Sequence, residues 1–120
     1  MELTLHTEGW FDAAHHLDNY EGKCNQLHGH TYQIEVWVKG NEEQLDKAGI
    51  LWDFGKLKKI IKEFDHNGDL TIEMGMNSTA EYQCMAIYST LKEDDPHLEF
   101  KVRLYEQIQP KESYCECGDF

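Results

Sequence analysis

Basic residues are scarce in this chain: 11 lysines and arginines stand against 23 aspartates and glutamates, for a formal net charge of −12. With a pI near 4.8, this balance argues against nonspecific binding to nucleic acid or to an anionic membrane, both of which draw basic surfaces. It leaves room for an anionic small substrate, where local charge decides. Long apolar runs are also missing; none approaches the roughly 20 residues needed to span a bilayer. No charged-then-apolar leader opens the chain, so no signal peptide is expected and the setting reads as cytoplasmic. Without a leader, Cys24, Cys84, Cys115 and Cys117 read as reduced thiols. Repeats, low-complexity tracts and linkers are absent, so residues 1–120 are expected to form one domain with a real but modest core. Apolar content of 40% and aromatic content of 12% are those of a globular chain and not of a disordered one.

Periodicity divides the chain. Residues 2–14 read as a strand, and 15–27, with Asp18, Asn19, Gly22 and Asn25, as a loop. Residues 28–39 are the clearest strand: Tyr32, Ile34, Val36 and Val38 share one face with His28 and His30. Phe54, Leu57, Ile60, Ile61 and Phe64 recur at helical spacing, with Asp53 placed to cap them. Asn67-Gly68-Asp69 breaks that pattern. A second helix is expected from Asn77-Ser78-Thr79, with Ser78 and Glu81 as a capping box and Ala80, Cys84, Ile87, Tyr88 and Leu91 as its apolar stripe. Phe100, Val102, Leu104 and Glu106 alternate along a third strand, and 112–118 reads as a fourth. The order ββααββ predicts an α+β fold, an antiparallel sheet with two helices packed on one face.

The chemistry concentrates around His28-Gly29-His30. Alternate strand residues project to one side, so the two imidazoles stand together. With a third histidine from a neighbouring strand they can form a three-histidine zinc site whose fourth position is open, the catalytic arrangement. The pair His15-His16 lies upstream. Cys24, separated from His28 by three residues, has two readings: a small core residue, or a reactive thiol in a loop beside Lys23. Asp65-His66 reads either as a surface turn or as a carboxylate fixing an imidazole's tautomer. Glu106 either reaches solvent at its strand's end or lies at the bottom of a pocket, where it would bind adjacent N–H donors of a heterocycle. Cys84 reads as core, and Cys115 and Cys117 as inert thiols near the end of the chain.

Taken together these segments resemble the 6-pyruvoyl-tetrahydropterin synthase family, including its 6-carboxy-tetrahydropterin synthase branch. Phe11-Asp12-Ala13-Ala14-His15 is similar to the family's Phe-x-Ala-x-His segment, and Cys24 through His30 to its cysteine and His-Gly-His motif. Trp52-Asp53-Phe54 with Leu57-Lys58, the Asp65-His66 pair, Asn77 through Glu81, and Glu106 match its later motifs in order. Three positions depart from the pattern: Ser78 stands where proline is usual, His16 where a basic residue is usual, and Gln107 where threonine is usual. The stretch from Asp53 to Asp65 is also shorter by about a helical turn.

The resemblance implies the tunnelling fold, or T-fold, assembled as a homohexamer of two trimers with sites between subunits. It makes His15, His28 and His30 ligands of Zn2+, Glu106 the anchor of the pterin ring, and Cys24, Asp65 and His66 the proton-transfer groups. The implied substrate is 7,8-dihydroneopterin triphosphate. Only three residues separate Cys24 from His28, which favours the queuosine branch, where 6-carboxy-tetrahydropterin, acetaldehyde and triphosphate are formed. The pyruvoyl branch, a noncatalytic pterin-binding T-fold protein and a structural metal protein are the alternatives.

Overall fold

The computed structural model describes all 120 residues. Two long strands, β1 (Glu2–His15) and β2 (His28–Asn41), are followed by helices α1 (Gly55–Phe64), α2 (Leu70–Met74) and α3 (Ala80–Asp94) and by strands β3 (Glu99–Gln107) and β4 (Ser113–Gly118). The strands form one antiparallel sheet in the order β1-β2-β3-β4. The expected α+β architecture is present, with one addition: α2, a short helix between the two expected ones. Asp69 starts it by accepting the Thr71 N–H at 3.1 Å, and Gly75 ends it at a φ of 71°, a left-handed conformation that glycine adopts without strain.

Alternation sorts the sheet's two faces. Phe11, Tyr32, Ile34, Val36, Phe100, Val102 and Leu104 point to one side and are buried. Their register matches Ile34 with Leu104 and Val36 with Val102. Each such side chain contributes about 1.5–3 kcal/mol of burial free energy. Helices α1 and α2 pack on β1, and α3 packs on β3 and β4. From α1 come buried Leu57 and Ile60, and from α3 Cys84, Ile87 and Leu91. A side chain at Gly9 would collide with Ile61 of α1, so the bare backbone there lets the helix approach. The other face carries His6, Glu8, Trp10, Glu35, Lys39, Lys101 and Arg103 and is open.

Two caps differ in detail from expectation. The N-cap of α1 is Phe54 and not Asp53, which stands one residue earlier and accepts the Gly55 N–H at 2.8 Å in the turn that leads into the helix. For α3 the cap is Thr79, whose hydroxyl accepts the Tyr82 N–H at 3.1 Å. Ser78 does not form the expected box with Glu81. Its hydroxyl is drawn inward by a stronger set of partners, described below. No helix is long and apolar enough to cross a membrane.

Candidate metal centre

The β1–β2 register places His15 directly opposite His28 and Ala13 opposite His30. Because the two strands are antiparallel and all three histidines lie on the helix-covered face, the rings meet at one end of the sheet. Ring centroids are 4.5 Å apart for His15 and His28, 4.9 Å for His28 and His30, and 5.2 Å for His15 and His30. One nitrogen from each comes within 4.8 Å of the others. Buried Tyr32 lies beneath His15 and His30.

The hydrogen bonds decide which nitrogen each ring offers. His15 Nδ1 lies 2.9 Å from the Ser78 carbonyl oxygen, and His28 Nδ1 lies 2.7 Å from that of Gln26. A carbonyl only accepts, so both rings carry their proton on Nδ1 and leave Nε2 with a lone pair. The Nε2 atoms of His15, His28 and His30 are all buried without a hydrogen-bond partner. Three unpaired buried ring nitrogens in one place, two of them fixed as acceptors, are costly unless something binds them. The donor set therefore fits a metal ion on its own chemistry. Burial also lowers the pKa of His15 and of His30, against the raising effects of the Ser78 carbonyl on the first and Glu106 on the second. Both are thereby held in the neutral form that binds metal.

A buried chain of hydroxyls backs His15. Its Nδ1–H also points to Ser78 Oγ at 3.0 Å. Thr71 Oγ1 gives its only hydrogen to the His16 carbonyl at 2.6 Å, so at its 2.8 Å contact with Ser78 Oγ the serine is the donor. The Gln83 amide donates to the Ser78 carbonyl at 2.7 Å. Sequence reasoning missed this support. Its one visible signal was serine in a position where proline is usual.

Glu106 occupies a bulge in β3: Tyr105 pairs with Tyr114 and Gln107 with Ser113, leaving Glu106 between them. One of its carboxylate oxygens stands 3.4 Å from His30 Nε2. It also lines a hollow of about 420 Å³ with Ala80, Glu81, Ser113 and Tyr114. The Glu106 side chain borders this hollow and remains 32% exposed, so it has both a recess and solvent beside it.

Asp65 and His66 sit elsewhere. Their side chains are 3.6 Å apart, and the His66 ring is 81% exposed. Backbone bonds hold them against the outer edge of β1: His66 N–H to the Asp12 carbonyl at 2.6 Å and Ala14 N–H to the Asn67 carbonyl at 2.9 Å. His66 adopts a φ of 58°. It shares an open hollow of about 460 Å³ with Asp12, Gly29, His30 and Thr31. Cys24 lies half-buried on a single 3₁₀ turn, Lys23–Asn25, anchored by a 2.8 Å bond from Leu17 N–H to its carbonyl. Its thiol is not among the converging metal-ligand atoms. Both ring nitrogens of His16 are engaged, by Asp69 at 2.6 Å and Asp18 at 3.0 Å, so neither is free for a phosphate.

This geometry coincides with a family match. The model of the family described as 6-pyruvoyl tetrahydropterin synthase covers residues 4–117. The chain belongs to the 6-pyruvoyl tetrahydropterin synthase family. Members of this family are enzymes that act on pterins. A 6-carboxy-5,6,7,8-tetrahydropterin synthase from Haemophilus influenzae is 31% identical over an alignment of 132 residues, covering 88% of this chain and 92% of that protein. A Pyrococcus horikoshii protein provisionally given the same name is 46% identical over 57 residues, 47% of this chain. That match spans only about a third, 34%, of the relative's length. Among solved structures, the Plasmodium falciparum 6-pyruvoyl tetrahydropterin synthase superposes with a TM-score of 0.69 at 17% identity, over 99% of this chain and 98% of that one. A Wolinella succinogenes protein superposes with a TM-score of 0.70 at 16% identity, over 100% and 99%. At such identities the likeness shows the fold, the T-fold of the pterin synthases.

Proposed function

We propose that the protein is a zinc-dependent lyase that converts 7,8-dihydroneopterin triphosphate to 6-carboxy-5,6,7,8-tetrahydropterin, with release of acetaldehyde and triphosphate, in the route to queuosine and related 7-deazapurines. The observation that carries this reading is the convergence of three unpaired imidazole nitrogens beside the Glu106 carboxylate. Three nitrogen ligands and an open position suit Zn2+. The near-full-length similarity to the Haemophilus influenzae protein supports the branch.

In this reading residues 1–120 act as one domain in the cytoplasm, and His15, His28 and His30 hold the metal. When bound there, zinc supplies Lewis acidity to the substrate's side-chain hydroxyls. Glu106 accepts the paired N–H groups of the pterin ring and fixes the side chain over the histidines. The Cys24 thiol moves a proton at the side-chain carbon. His66, oriented by Asp65, is its partner acid or base, using the ring nitrogen that Asp65 leaves free. The exposure of His66 within one subunit supports a site completed by a second copy, and the assembly is a homohexamer of two trimers. The partner is thus a small anionic pterin and not nucleic acid or a membrane.

The test is product identification by mass spectrometry on zinc-loaded protein given 7,8-dihydroneopterin triphosphate. Carboxy-tetrahydropterin with acetaldehyde supports the reading. Pyruvoyl-tetrahydropterin moves the protein to the branch of its Plasmodium structural neighbours. No product from folded, metal-loaded protein overturns both.

A further inference from the structure

Three of the four cysteines have no role in the chemistry above, although Cys115 borders the Glu106 hollow, and the fold brings them together. Cys84 lies on the inner stripe of α3 with no exposure. Cys115 and Cys117 lie on the inner face of β4, opposite Leu104 and Val102. Cys84 Sγ is 3.3 Å from Cys117 Sγ, and 3.4 Å from the carbonyl oxygens of both Val102 and Cys115. The two sulfurs are already packed against each other, so a bond between them asks for a shift of little more than an ångström.

We propose that Cys84 and Cys117 form a disulfide-forming modification site that responds to peroxide and fastens the edge strand β4 to α3. Accessibility sets the order of events. Cys117 is partly exposed and Cys84 is not. Burial, reinforced by the neighbouring Cys117, pushes the Cys84 thiol above the ordinary cysteine range, so Cys84 stays protonated while Cys117 meets the oxidant. The Cys117 sulfur attacks one peroxide oxygen, the O–O bond breaks, and hydroxide leaves and takes up the thiol proton as water. Cys117 is then a sulfenic acid. The Cys84 sulfur attacks the Cys117 sulfur, the S–O bond breaks, and the hydroxyl leaves with the Cys84 proton as a second water. Each thiol has given up one hydrogen, and the peroxide is reduced to two waters.

The surroundings favour this pair over its neighbours. β4 is pinned just beyond Cys117, where Asp119 N–H donates to the Phe100 carbonyl at 2.7 Å and the Asp119 carboxylate accepts from Phe100 N–H at 2.9 Å and Tyr88 Oη at 2.5 Å. That clamp holds Cys117 over the helix. Cys115 meets Cys84 chiefly through its carbonyl oxygen at 3.4 Å, and its thiol acts on Cys84 more weakly than the thiol of Cys117 does. The bond would close a loop spanning 33 positions, which restricts the unfolded chain. It would also couple β4 to the helix whose first turn follows Ser78, the residue that orients His15.

The experiment treats the intact protein with hydrogen peroxide, alkylates remaining thiols and maps the peptides. The expected result is one crosslinked peptide pair joining Cys84 to Cys117, a loss of two hydrogens per chain, reversal by dithiothreitol, and slower hydrogen exchange along β4. Cys115→Ser should keep the crosslink and Cys117→Ser should abolish it. If Cys117→Ser fails to fold, the wild-type map decides alone. Full alkylation of Cys117 after oxidation, or a crosslink from Cys84 to Cys115 instead, overturns the proposal.

Discussion

The three histidines and the three proposed proton-transfer residues are built differently. His15, His28 and His30 sit on paired strands, and the register alone brings their rings within 5.2 Å. Cys24, Asp65 and His66 sit on turns, and the fold of one chain does not gather them. Asp65 and His66 hold the outer edge of β1, while Cys24 rides a separate loop. The contrast teaches that strand pairing within one chain is enough to bring the three imidazoles together, whereas the turns do not bring the Cys24 thiol to them. Strand pairing fixes positions to fractions of an ångström. Loop residues gain their geometry from whatever packs against them.

The largest effect tests the histidine side of that contrast. His28→Ala should reduce bound metal from one ion per chain to none and abolish turnover; stoichiometric metal in the variant, read by elemental analysis, would break the assignment. The turn residues should behave otherwise. Cys24→Ala and His66→Ala should each keep full metal and lower kcat by about 10²–10⁴-fold. Mixing His28→Ala with His66→Ala subunits sharpens the comparison. If sites span two chains, random assembly restores roughly a quarter of wild-type activity, whereas no recovery from verified mixed oligomers would place His66 in its own subunit's site.

Glu106→Ala should weaken pterin binding by roughly 10²-fold, the loss of a charge-assisted pair of hydrogen bonds, measured by titration with a non-reacting pterin. Unchanged affinity would refute the anchor role. Ser78→Ala is subtler: it removes the hydroxyl but not the carbonyl that holds His15 Nδ1. Metal affinity should fall by about tenfold, at the low end of the range for groups that orient metal ligands, as read by competition with a chelator.

The smallest effect lies far from the centre, at Asp119. Burial pushes its carboxyl up, but hydrogen bonds from Tyr88, Phe100 N–H and Lys92 outweigh this and hold it below the ordinary aspartate range. A depressed folded-state pKa adds stability above the ordinary value, and this is lost as pH falls through the folded one. Asp119→Asn should therefore cost about 1 kcal/mol at neutral pH and flatten the acid limb of a Tm-against-pH curve. An unchanged limb would show that other carboxylates dominate it.

Much of the frame was legible because its signals are periodic. Alternation along Tyr32–Val38 and Phe100–Leu104 marks strands, and spacing along Leu57–Phe64 marks a helix. Those patterns survive in the structure with boundaries shifted by a residue or two. The pairing of His28 and His30 was legible because they sit at strand spacing, and the register adds His15 opposite His28. What was not legible depends on contacts far apart in sequence. Ser78 reads as a cap from its local neighbours, and only its approach to Thr71 and His15 reassigns its hydroxyl. Helix α2 has five residues, too few to show a period. The bulge at Glu106 leaves no mark in an alternation that simply ends there. Cys117 read as inert because nothing in its own segment points to Cys84, 33 positions away.

The backbone of His66 and Asn67 lies along β1 at Asp12 and Ala14, and this has a consequence for how copies of the chain can meet. β1 is an outer strand of the sheet, yet its free side is open only over the stretch before that contact. The edge groups of Asp12 and Ala14 are already bonded to the Asp65–Asn67 turn, so any strand that extended the sheet at β1 would have only the stretch before them to pair with. The turn thus limits the length of backbone that this edge of the sheet can offer. Lengthening or shortening the Asp65–Gly68 turn would change that length without touching the three converging histidines.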